Sequence, residues 1–157
     1  MPSLDLLKGD LTMSCNAKSP YAKSCVRVYN NAEQTFVADP ATIIALQGDV
    51  VVDSGCSLKL GASNVQILKS GLYRISADVT YTPTTAGEAV VQLYRDGIAL
   101  PCAISTETVA VGTTYTTHIE TDLMVNVCCV NQPSITVRIG GVAGTVNHIC
   151  AGVLKLA

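Results

Sequence analysis

The sequence predicts an all-β protein, an antiparallel two-sheet sandwich, on three observations. Residues 71–81 alternate without a fault: Tyr73, Ile75, Ala77, Val79 and Tyr81 fall on one face, and Arg74, Ser76, Asp78 and Thr80 on the other. That period of two marks a strand with one face in a core and one in water. The chain holds 19 Val and 16 Thr, one Phe and no Trp, a β-branched composition that favours strands. Short apolar runs punctuated by glycine, proline and asparagine recur along it, with no helical period between them.

The runs follow in order. Residues 1–32 carry no clean period: Leu4, Leu6, Leu7 and Leu11 are interrupted by Lys8-Gly-Asp10, and residues 18–23 are turn-like. Within this stretch Cys25–Tyr29 alternates like a short strand and residues 30–34 form a linker. The segment reads as an extended arm that needs a surface to pack on, ahead of a domain over residues 33–157. Strand grammar then begins with 42–46, 49–52, 57–60 and 65–68, each ending at a turn residue.

After the long strand, residues 83–87 make a loop and residues 88–94 the next strand, ending at Arg95-Asp-Gly97. An Asp-Gly pair between apolar runs predicts a tight hairpin, because glycine takes the positive φ the turn demands. Its return strand, 98–104, contains Pro101 and so belongs at an edge or bulge. Tyr115, Thr117, Ile119, Thr121, Leu123, Val125 and Val127 share one face of a further run, and Asn131-Gln-Pro133 turns the chain. Ile135, Val137 and Ile139 alternate next. The last run, 146–157, is apolar on both faces, which predicts a central strand covered on both sides by a second sheet and a loop or by a neighbouring subunit.

Size and composition bound the function. At 157 residues one domain is expected, and folding buries about two-thirds of the unfolded surface. Charged residues are 14% against 48% hydrophobic, with no apolar run approaching the roughly 18 residues of a membrane helix. A strand protein this apolar without a span is expected to hide surface in an oligomer. Residues 1–27 carry four basic and two acidic side chains, and residues 28–157 six basic and ten acidic. No basic face for nucleic acid follows from that balance, and no nucleic-acid or membrane partner is expected.

Seven cysteines (15, 25, 56, 102, 128, 129 and 150) are an odd set, and the N-terminus has no unbroken apolar core of a signal peptide. Together they read as reduced thiols made in a cytoplasm. No zinc spacing appears, and Cys128-Cys129 point to opposite faces of a strand. His118 lies on a polar face, and His148 reads as a core or interface histidine. Asp49, Asp53, Asp78, Asp96, Glu120 and Asp122 are scattered rather than gathered in a calcium loop. A cysteine nucleophile would need a histidine base and an orienting group, and no local motif marks one. No catalytic residue, cofactor or metal is expected, and residues 140–144 read as a loop rather than a phosphate cradle.

The stretch Ile67-Leu-Lys-Ser-Gly-Leu-Tyr-Arg-Ile-Ser-Ala-Asp-Val79 resembles the G-x-Y-x-I/F-x-x-x-V central strand of C1q/TNF-like jelly rolls. Val91-Gln-Leu-Tyr-Arg-Asp-Gly-Ile98 resembles that family's following hairpin, and the apolar last strand its interface strand. The likeness covers roughly residues 40–157, and the low aromatic content looks most like bacterial and bacteriophage members. It implies a C1q/TNF-like jelly-roll sandwich assembled as a homotrimer and, for a phage member, a virion surface role such as capsid decoration or head fibre. Trimer contacts are then expected at Tyr73, Tyr115, Ile149, Val153, Leu154 and Leu156, with Leu4, Leu6, Leu7 and Leu11 docking the arm to capsid or other virion proteins. The alternative is a recognition module that binds a host-surface carbohydrate or protein through loops near 83–87, 105–114 and 140–145.

Overall fold

The structure is a computed structural model, and it describes residues 24–127 and 132–157. Twelve strands and no helix occur among these residues: β1 Cys25–Asn30, β2 Gln34–Phe36, β3 Thr42–Ile43, β4 Asp49–Ser54, β5 Leu58–Leu60, β6 Val65–Ile67, β7 Gly71–Pro83, β8 Gly87–Arg95, β9 Ile98–Val109, β10 Tyr115–Val125, β11 Ser134–Gly140 and β12 Gly144–Lys155. No helix of the described residues is therefore long and apolar enough to cross a membrane.

Two sheets face each other. The first runs β10-β7-β12-β1-β4, with β2 also on β12; the second runs β5-β6-β11-β8-β9, with β3 also on β11. From β7 onward the chain crosses between sheets in the manner of a jelly roll, β7 in the first, β8 and β9 in the second, β10 back, β11 across and β12 home. Strand β7 lies between β10 and the central strand β12, held along its length by β10 (Gly71↔Val125 to Tyr81↔Tyr115) and by β12 (Tyr73↔Lys155 to Pro83↔Gly144). Its alternating face, Tyr73 to Tyr81, is fully buried, as the period of two requires. Opposite it lie Val91 and Leu93 of β8 and Val137 and Ile139 of β11, which belong to the same core cluster.

Local chemistry sets the connections. Asp96 (φ 52°) and Gly97 (φ 79°) both adopt left-handed backbone between Arg95 and Ile98, so the expected tight hairpin is present. Pro101 sits in β9, an edge strand, where the pairing with β8 slips between Gln92 and Tyr94. The expected strand at 42–46 shortens to β3, because Gln34 binds Ala45 through both ends of its amide (3.0 and 2.7 Å) and so replaces a ladder. Strand β2 has no counterpart in the sequence reading.

Two expectations need correction. Residues 25–30 are an interior strand between β12 and β4, with Val26 and Val28 buried, so the expected arm over residues 1–32 overlaps the sandwich. In β12 the pairing shifts between Val146 and His148, a bulge that turns Val146, Ile149, Ala151 and Val153 all inward. The other face then carries His148, Cys150, Gly152 and Leu154 rather than a second apolar row.

Leu93 is fully buried between the sheets, so Leu93→Ala should lower unfolding free energy by about 2–5 kcal/mol in urea titration, without changing the strand signal of the folded protein.

Candidate functional site

The outward face of the first sheet collects most of the reactive side chains. On β7 and β10 the outward residues stand directly opposite one another: Thr80 and Thr116, Asp78 and His118, Arg74 and Asp122. Cross-strand partners so placed interact, and each of these pairs does. The Thr80 and Thr116 hydroxyls are 3.0 Å apart, and Thr82 and Thr114 at the strand ends 2.9 Å. His118 Nδ1 lies 2.7 Å from Asp78 Oδ1, and its Nε2 is 3.6 Å from Glu120 Oε1.

Arg74 donates two hydrogen bonds to Asp122 (2.9 and 3.2 Å) and approaches Glu120 at 3.7 Å. That fork holds the Asp122 carboxyl below its ordinary value and raises the guanidinium, chiefly through the hydrogen bond itself. Both groups are solvated, so the pair orders the face more than it stabilises the fold.

Across β12 the face dips. Gly152 has no side chain, and a Cβ there would meet Val26 O at 3.2 Å and Arg27 Cζ at 3.6 Å. Arg27 lies beside this gap and donates to Cys150 Sγ at 3.3 Å, a contact that raises the guanidinium. An open depression of about 200 Å³ results, bordered by Arg27, Arg74, Glu120 and Leu154. His148 is not a core residue: the bulge places it outward, where it bonds Asn31 and tilts against Tyr29.

The expected trimer contacts separate into two groups. Tyr73, Ile149 and Val153 are sealed in the core of a single chain and have no surface for a neighbour, because β7 and the bulged β12 turn them inward. Leu154 is exposed, while Tyr115 and Leu156 keep part of their surface. Leu4, Leu6, Leu7 and Leu11 lie outside the described residues, as do Cys15, Cys128 and Cys129. Cys25, Cys102 and Cys150 are free thiols, but Cys56 is disulfide-bonded, so the reading of wholly reduced cysteines fails there. Parity requires only one leftover thiol, and a chain of seven can still form a pair. Among the described residues no group of three or more His, Cys, Asp or Glu is placed to hold a metal ion.

The three candidate loops do meet at one end. Thr84 N donates to Ala143 O, Ala143 N to Thr85 Oγ1, and Gly112 N to Pro83 O. Residues 105–109 are strand rather than loop, which shortens the middle one to 110–114. Beneath them the tyrosines pack inward: Tyr81 stacks on Tyr115 at 5.9 Å and meets Phe36 edge-on at 6.1 Å. Burial first, and the Glu107 carboxylate second, push the Tyr81 phenol up to about 12.

The cross-strand pairs escaped the sequence reading, although their signal was present. Setting the polar row of β7 against that of β10 in antiparallel register brings Asp78 to His118 and Arg74 to Asp122. No protein-family model matches this sequence, and no curated protein matches it. Solved structures do share its fold. PRD1 vertex protein P5 superposes with a TM-score of 0.65 at 19% identity, over 85% of this chain and 73% of that one. Murine APRIL at pH 8.0 gives 0.61 at 17% identity, over 85% of this chain and 99% of the other. The globular domain of zebrafish complement 1qA gives 0.60 at 8% identity, over 82% and 94%. The chain has the two-sheet jelly-roll fold of these structures.

Two outcomes follow. A buried phenol raised by folding keeps its proton where the unfolded chain has lost one, so its stabilisation is intact below pH 10.0 and falls as pH rises toward about 12. Urea midpoints across that interval should decline in the wild type and decline less in Tyr81→Phe. Alkylation followed by peptide mass mapping of the native protein should label exposed Cys102 before Cys25 and Cys150, and Cys56 only after reductant.

Proposed function

We propose that this chain is a non-enzymatic structural protein of a bacteriophage virion, of the capsid-decoration or head-fibre type, that self-associates as a homotrimer and is held to the particle through its N-terminal segment. The observation that carries the reading is the fold shared with PRD1 vertex protein P5, over 85% of this chain. Supporting it, charged groups of the outward face are tied across strands, Asp78 to His118 and Asp122 to Arg74, which orders that surface.

Self-association is supported by exposed apolar groups on and beside the first sheet, among them Leu154 and Met124. A trimer burying this face would use Leu154 and Leu156 and leave Tyr73, Ile149 and Val153 in the separate cores, with Tyr115 turned inward onto Tyr81. In this reading the protein is made in the host cytoplasm and resides on the virion. The second reading, recognition of a host carbohydrate or protein, is favoured by the clustering of loops 84–86, 110–114 and 141–143 at one end.

The test combines mass and incorporation. Light scattering on the full chain should give three times the chain mass, and a monomer would remove the self-association. Deleting residues 1–23, which spares β1, should leave the oligomeric state unchanged and abolish incorporation into particles. Loss of ligand binding on loop substitution, with incorporation intact, would select the recognition reading instead.

A further inference from the structure

Strand β4 is an edge that nothing in the described chain covers. It ends the first sheet, pairs only with β1, and all six of its residues are exposed. Three of these are consecutive valines, Val50, Val51 and Val52, exposed by 50%, 55% and 37%. Natural sheets guard such edges with lysine, proline, a bulge or a covering element. The other edges here are guarded. In the second sheet β9 carries Pro101 and an irregular stretch opposite Gln92–Tyr94, and β5 is only three residues long. The outer side of β10 is tied to β9 through Ser105 and Thr117, whose hydroxyls are 2.6 Å apart.

The β4 edge carries an irregularity opposite Arg27 and Val28 and the charges of Asp49 and Asp53, but no lysine, no proline and no covering element among the described residues. Glycines anchor it at both ends. A Cβ on Gly48 would strike Tyr29 O at 2.2 Å, and Gly55, at φ +80°, packs on Ser24. The edge is therefore held in place against β1 and presented outward.

Its charge states what fits. Asp49 and Asp53 bracket the valines. Pairing β4 with β4 of a second copy about a two-fold axis would bring Asp49 of each beside Asp53 of the other, and like charges across strands repel. A strand with cations at its ends has the opposite sign at both places.

We propose that the free edge of β4 is a strand-addition site for an extended segment of a partner protein, apolar in its middle and carrying lysine or arginine at either end. This rests on the reading of the chain as one component of a larger particle, and it names the chemistry of the component that contacts it. Backbone hydrogen bonds supply the docking, the valines supply apolar area, and the two carboxylates set register and polarity.

The probes are two short synthetic peptides of alternating valine and threonine, one ending in lysines and one in glutamates, titrated into the full chain. The lysine peptide should bind about tenfold or more tighter. It should shift and protect the backbone amides of Asp49–Ser54 in amide spectra, and weaken with salt. Asp53→Lys should erase the preference, and Asp49→Lys/Asp53→Lys should reverse it. Val51→Lys, at an exposed position, should block the lysine peptide while keeping the folded amide spectrum. Equal affinity for the two peptides, no binding of either, or shifts confined to other strands would overturn the proposal. A change in the mass of the protein alone on Val51→Lys would also overturn it, by showing a second copy on this edge. None of these outcomes depends on particle incorporation, so the virion reading stands or falls separately.

Discussion

Everything in this molecule depends on one strand being buried on one side and paired on both edges. The inward row of β7, from Tyr73 to Tyr81, contributes the two largest fully buried side chains, and its backbone is consumed by β10 on one edge and β12 on the other. A strand in that position cannot slip by one residue without exchanging its apolar row for Arg74, Ser76, Asp78 and Thr80. Register is therefore fixed on β7 and passed to its neighbours. With β7 in place, Asp78 must face His118 and Arg74 must face Asp122, and the polar surface is a by-product of the core's constraint.

That dependence explains what was legible in the residues and what was not. Strands with a clean period of two and a single partner row, such as β7, β8 and β11, were readable because burial and pattern coincide. The Asp96-Gly97 turn was readable because only certain residues accept positive φ. Strand β2 was not, since three residues carry no period. Most instructive is β12: its run looks apolar on both faces only if one assumes unbroken alternation. One extra residue near Asn147 shifts the phase, so Val146 and Ile149 both face inward although three positions apart. A bulge has no reliable signature in a single sequence, and it moved Ile149 and Val153 from an expected interface into the core and His148 out of it.

The same shift alters the argument for assembly. An oily outer row on β12 would by itself demand a neighbour; the row observed, His148, Cys150, Gly152 and Leu154, does not. The exposed apolar area is scattered: Leu154 and Met124 on this face, the valines of β4, and Ile43, Ile98 and Ile104 in the second sheet. Composition alone could not locate it, because a tally of apolar residues counts a buried valine of β7 and an exposed valine of β4 alike. The arm boundary failed for a related reason. Residues 25–29 were legible as a strand, but whether a strand of that length belongs to a neighbouring domain is decided by pairing with β12 and β4, some 20 to 130 residues away in the chain.

Two kinds of surface therefore coexist on the first sheet, and their physics differs. The outward face is polar and internally paired; covering it would cost desolvation of Arg74, Asp122, Asp78 and His118, groups already satisfied, so it favours contacts that leave those pairs intact and wet at the rim. The β4 edge has unspent backbone donors and acceptors beside bare valines, so covering it gains hydrogen bonds and apolar burial together and disturbs no existing pair. A protein that meets copies of itself through the first and a different protein through the second would need no overlap between the two contacts. The face is broad and polar, whereas the edge is narrow and bracketed by two carboxylates, so a partner on the edge would be discriminated by its charge.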